Sequence, residues 1–81
     1  MGKLRILTRE GDKTVTWDRE QLEVGDPDAL AAVREAERIF QEQLERGSTA
    51  FQVEPGGQTR KLDRFDQDAE QIVLVPRVVG G

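Results

Sequence analysis

The run Ile72-Val73-Leu74-Val75 stops dead at Pro76. Four consecutive apolar residues, three of them β-branched, read as a strand covered on both faces. Proline cannot donate to a sheet ladder, so the strand ends there. Such a strand must lie inside a sheet. The rest of the chain therefore has to supply neighbours on both sides and cover for a face. With 81 residues in all, it has material for one small domain, which buries about 60–65% of the surface its unfolded chain exposes.

The neighbours are legible. Lys3 to Thr8 reads as a strand, with Leu4 and Ile6 on one face and Leu7 on the other. Arg9-Glu10-Gly11-Asp12 is a turn, and Lys13 to Asp18 is a second strand with Val15 and Trp17 on one face. Two alternating runs across a short loop are a hairpin signal. Ser48 to Glu54 is a third strand, in which Phe51 and Val53 are the expected core residues. Pro55-Gly56-Gly57 breaks it, and Thr59 to Leu62 forms a short fourth strand. Asp63 to Glu70 is an acidic loop around Phe65.

The cover comes from one helix. Asp26 is its N-cap, Pro27 fits the first helical position, and Asp28 complements the positive end of the dipole. Leu30, Val33, Ala36 or Glu37, Phe40 and Leu44 recur at spacings of three and four, giving one apolar face. Gly47 is the natural residue beyond its end. About twenty residues span roughly 30 Å at 1.5 Å per residue. Arg19 to Gly25 reads as a polar linker into this helix.

The order is therefore strand, strand, helix, strand, short strand, strand. The last strand is the most apolar, which places it centrally, beside a parallel first strand. This is an α+β chain of β-grasp type, order ββαβββ, with a mixed sheet of four to five strands and one long helix across one face. Residues 1–76 form the domain, and residues 77–81 a flexible tail ending in Gly-Gly.

Composition removes whole function classes. The chain has no Cys and no His. That excludes a thiol nucleophile, an imidazole base and the usual zinc site. Ser48 is the only serine and has no His to activate it. The chain is expected not to be an enzyme and to bind no metal or cofactor itself. Asp63, Asp66 and Asp68 lack the Gly and Glu offsets of a calcium loop. A net charge of −4 argues against general nucleic-acid binding. The longest apolar stretch is too short to span a bilayer, and Met1 to Thr8 has no signal-peptide character. A cytoplasmic monomer without membrane contact is the expectation. Arg60, Lys61 and Arg64 read as ordinary surface charge.

The last fourteen residues, Asp68-Ala69-Glu70-Gln71-Ile72-Val73-Leu74-Val75-Pro76-Arg77-Val78-Val79-Gly80-Gly81, resemble the end of a ubiquitin-like protein. Their sequence is similar to sulfur carriers of the molybdopterin-synthase small-subunit type, which end in an acidic turn, an apolar strand, a proline, a short spacer and a diglycine. Two features depart from those carriers: the polar linker before a long charged helix, and Arg77, where ubiquitin and similar modifiers carry an arginine read by the activating enzyme.

The resemblance implies a chain whose Gly81 carboxylate is adenylated by an E1-like enzyme using ATP and magnesium. Glycines lack Cβ and can thread a narrow channel to an ATP site. Gly80 and Gly81 would carry the chemistry, and Pro76, Arg77, Val78 and Val79 would be the recognised segment. As a bacterial-type protein modifier, the chain would pass, with or without an E2-like enzyme, to a target lysine through an isopeptide bond, and a deconjugating metalloprotease would reverse this. As a sulfur carrier, it would form a thiocarboxylate for a sulfur-accepting enzyme. A non-catalytic interaction module is the third reading. Ubiquitin-like domains offer partners an apolar sheet patch, for which Leu7 and Val73 are the candidates here.

Overall fold

A computed structural model describes residues 1–77 of the chain; Val78, Val79, Gly80 and Gly81 lie outside the described residues. The elements in order are β1 (Gly2–Thr8), β2 (Gly11–Trp17), α1 (Arg19–Glu23), α2 (Pro27–Glu45), β3 (Thr49–Val53), β4 (Thr59–Leu62) and β5 (Gln71–Val75). The fold is α+β, with one mixed five-stranded sheet and one main helix.

The sheet order is β2-β1-β5-β3-β4. β5 is central, as its apolar run requires. It runs parallel to β1, with Leu4 opposite Ile72 and Ile6 opposite Leu74, and antiparallel to β3, with Ala50 opposite Leu74. The β1–β2 and β3–β4 pairs are antiparallel hairpins. Gly11 takes φ 123° in the first turn, and Gly56 and Gly57 take positive φ in the second.

Helix α2 starts as its capping residues dictate. Asp26 accepts a hydrogen bond from the Ala29 N–H at 3.0 Å, with Pro27 in the first turn. Its buried stripe is Ala29, Val33, Ala36 and Phe40. Leu30, expected on that stripe, is 37% exposed, and the smaller Ala29 takes its place. At the far end Gly47, at φ 95°, donates to the Leu44 carbonyl at 3.0 Å, and Ser48 donates to the Gln43 carbonyl at 2.9 Å. These bonds satisfy carbonyls that a helix end leaves open.

The core lies between α2 and one face of the sheet. Leu4, Phe40, Ala50, Ile72 and Leu74 are completely inaccessible to solvent, and Trp17 nearly so. Phe65, which stands in an irregular loop, closes one side. Its ring centroid is 5.6 Å from that of Trp17 and 5.8 Å from that of Phe40, the latter edge-on. The Trp17 indole N–H donates to the Gln67 carbonyl at 3.0 Å, so the indole is buried without an unpaired donor.

Two expectations are corrected here. The stretch from Arg19 to Gly25 is not a plain linker. Asp18 accepts from the N–H groups of Glu20 and Gln21 at 3.0 and 3.2 Å and caps the short helix α1. Leu22 of α1 packs against the core, and Gly25 ends the turn at φ 77°. Phe51 and Val53 are also not the core residues of β3. They are half-buried on the opposite face, while Ala50 is fully buried. Ala50 is in register with Leu74 and Leu62. Which face of β3 is covered is decided by those neighbours and not by side-chain bulk. Among the described residues, no helix is long and apolar enough to cross a membrane.

Candidate functional site

The site begins where the central strand ends. Val75, opposite Thr49 of β3, is the last residue of β5, and Pro76 follows it, exposed. The proline has no N–H for either neighbouring strand, so pairing stops and the chain leaves the sheet. Arg77 is also exposed. Its aliphatic stem lies over Gly47, at the end of α2: a Cβ on Gly47 would lie 3.2 Å from Arg77 Cδ. Pro76 and Arg77 are thus brought together with the α2–β3 corner. Val78, Val79, Gly80 and Gly81, the rest of the expected recognition and attachment segment, lie outside the described residues.

Leu7 and Val73 share the sheet face that α2 does not cover. Leu4 and Ile6 are buried beneath the helix, so Lys3, Arg5 and Leu7 point the other way. By the same alternation Gln71, Val73 and Val75 of β5 lie on the open face. Phe51 stands directly opposite Val73, and Val53 opposite Gln71. The result is a half-buried apolar strip of Leu7, Val73, Val75, Phe51 and Val53. Sequence reasoning found Leu7 and Val73 but assigned Phe51 and Val53 to the core. The register of β3 against β5 is the signal that was lacking.

Charge frames this strip. Lys3 and Arg5 of β1 and Lys61 of β4 stand on the open face, with Arg5 opposite Val73 and Lys61 opposite Phe51. Arg5 is paired with Asp12 of β2 through its Nε, at 2.9 Å, and through Nη2. The open face is therefore cationic although the chain carries −4 overall. Outward-facing α2 residues carry the opposite tendency. Arg38 bridges Glu35 at 2.5 Å and Glu42 at 2.6 Å. The Arg38 hydrogen bond holds the Glu35 carboxyl below its ordinary value, and the Glu35 carboxylate raises the Arg38 guanidinium above its own.

The remaining charged residues are dispersed. Arg60 reaches Gln52 at 3.2 Å on the helix side of the sheet, whereas neighbouring Lys61 faces the other way. Asp66 accepts from the Asp68 N–H at 2.9 Å and closes a turn. Two grooves of about 470 and 460 Å³ flank the start of β1. One is lined by Asp18, Arg19, Glu20, Glu23 and Asp68, the other by Lys3, Val53, Glu54, Pro55 and Glu70. Both lie at the end of the sheet opposite Pro76. In comparisons with family models, curated proteins and solved structures, nothing matches this chain.

Proposed function

We propose that the chain is a β-grasp, ubiquitin-like carrier that acts through its C-terminal diglycine. The observation that carries this reading is the placement of Pro76 and Arg77. They follow directly on the central strand of a sheet with parallel β1–β5 pairing and one main helix on one face, and in the sequence only Val78 and Val79 separate them from Gly80-Gly81.

The chemistry needs no catalytic residue from the domain. One Gly81 carboxylate oxygen attacks the α-phosphorus of ATP in an E1-like enzyme, and pyrophosphate leaves. The resulting acyl adenylate is a strong electrophile. In the leading form an enzyme thiolate displaces AMP, and a target lysine amine then displaces that thiolate to give an isopeptide bond. Arg77 and the long helix favour this modifier reading. The ending Val75-Pro76-Arg77-Val78-Val79-Gly80-Gly81 favours the alternative, in which hydrosulfide attacks the acyl carbon, AMP leaves, and loss of the sulfur-bound proton gives a thiocarboxylate. Both require Gly81 to carry a free carboxylate, either as synthesised or after proteolytic trimming. In the modifier form the open sheet face, with Leu7, Val73 and Phe51 at its centre, is the surface for partner proteins.

Intact-mass measurement of the protein recovered from its native host, with thiol trapping and a Gly81 deletion as control, tests this. Gly-Gly remnants on target lysines after digestion establish the modifier. Replacement of one carboxylate oxygen by sulfur establishes the sulfur carrier. An unmodified chain that is active with or without Gly81 leaves only an interaction module.

A further inference from the structure

Gly47 does two things at once. At φ 95° it ends helix α2, and its missing side chain leaves a slot that the stem of Arg77 fills. A Cβ at Gly47 would lie 3.2 Å from Arg77 Cδ, 3.7 Å from Arg77 Cβ and 3.9 Å from Nη1. The first of these is tighter than ordinary van der Waals contact, so a side chain at 47 obliges the arginine stem to give by a few tenths of an ångström.

Arg77 nonetheless remains an exposed residue. Its stem lies over Gly47, and Nη1 of its head stands 3.9 Å from the Cβ position there. The surroundings favour a cation. The last turn of α2 carries Glu42 and Glu45, and the negative end of the helix dipole lies there, where Arg46 at the C-cap is already one cation and Arg77 a second.

We propose that Gly47 is a positioning residue for the tail: it seats the stem of Arg77 and so presents the guanidinium in one orientation to the enzyme that activates Gly81. This rests on the carrier reading above. An arginine has several rotatable bonds, and freezing them on binding is costly. A side chain already seated in the free protein avoids much of that cost. The head can then be gripped by a carboxylate of the enzyme in a two-pronged geometry that lysine cannot reproduce.

The experiment has two arms. The first needs no enzyme. Nitrogen-15 relaxation at Arg77 Nε reports how tightly the side chain is held. We expect a restrained Nε in the wild-type chain and clear loosening in Gly47→Ala, with thermal unfolding confirming that the variant is folded. If Gly47→Ala does not fold, Arg77→Ala, which leaves the helix cap intact, replaces it, and a shift of the Gly47 amide resonance is expected. An Arg77 Nε equally mobile in both chains, or a Gly47 resonance indifferent to Arg77→Ala, overturns the seat.

The second arm is ATP–pyrophosphate exchange by the E1-like enzyme that the wild-type chain stimulates. Gly47→Ala should raise KM for this protein about 2- to 10-fold, the span set by ordering one rotamer-rich side chain, with kcat unchanged. In an Arg77→Ala background the same substitution should have no further effect, because its influence passes through Arg77. An equal KM in the wild type and Gly47→Ala, or a loss that persists without Arg77, overturns the positioning role. A restrained Nε with no exchange from the wild-type chain is a failure of the carrier reading, and the presenting role falls with it while the seat stands.

Discussion

Gly2 and Trp17 face each other across the first hairpin, and the indole occupies the space into which a side chain at position 2 would project. A Cβ on Gly2 would fall on the Trp17 ring. The second residue of the chain is therefore a core position, buried beside an aromatic that is only 2% exposed.

Gly2→Ala should consequently destabilise the fold by about 1–3 kcal/mol, the usual cost of forcing extra volume into a packed site. Urea unfolding followed by Trp17 fluorescence measures it. A midpoint equal to that of the wild type would show that the indole has room to move.

Phe65 should count as core although it lies outside every helix and strand. It touches both Trp17 and Phe40 ring to ring. Phe65→Ala should cost roughly 2–4 kcal/mol, somewhat under the range for a fully buried phenylalanine because its own site is only half-buried. It should also collapse the near-ultraviolet circular dichroism of Trp17. A loss below about 0.5 kcal/mol, the scale of ordinary surface changes, would make the loop a mere connection.

Neighbouring residues on β5 should respond very differently. Ile72 is inaccessible beneath α2, while Val73 is half-buried on the open face. Ile72→Ala should lose about 2–5 kcal/mol and Val73→Ala about 1 kcal/mol or less. Paired denaturation curves decide the matter, and a reversed order would mean that the strand presents its other face to the helix.

The two aspartate caps are a further test. Asp18 starts α1 and Asp26 starts α2, each accepting from backbone N–H groups one turn on. Replacing either with alanine should cost about 1 kcal/mol. Amide hydrogen exchange should localise the loss to the first turn of the helix concerned.

Acid titration of Glu35 has a definite sign. Hydrogen bonding from Arg38 lowers its carboxyl value in the folded chain. The contribution to stability is present above the unfolded carboxyl value and is lost as pH falls through the lower, folded one. Arg38→Gln should move the Glu35 midpoint upward in a carbon-13 NMR titration, and high salt should shrink the difference, because both groups are solvent-exposed. An unmoved midpoint would mean the pair is not formed in solution.

The strands, the long helix and the central position of β5 were legible because each rests on a local signal: alternation, a capping aspartate with Pro27, or the apolar run before Pro76. Helix α1 was missed because five residues carry too little periodicity to register, although Asp18 and Glu20 supplied a start signal. Ala50 was passed over for Phe51 because alternation separates two faces without saying which one is covered.

The sequence by itself determined the type and order of the five strands and the long helix, and which side-chain chemistry the chain has to offer. Those properties follow from dihedral preferences, period and the presence or absence of side-chain types, all of which are local. Only the tertiary structure decided which sheet face stays open, that Phe65 belongs to the core, and that Arg77 lies on Gly47. Each depends on residues far apart in the chain meeting in one register, and a pairing between positions 47 and 77 leaves no mark on either local stretch.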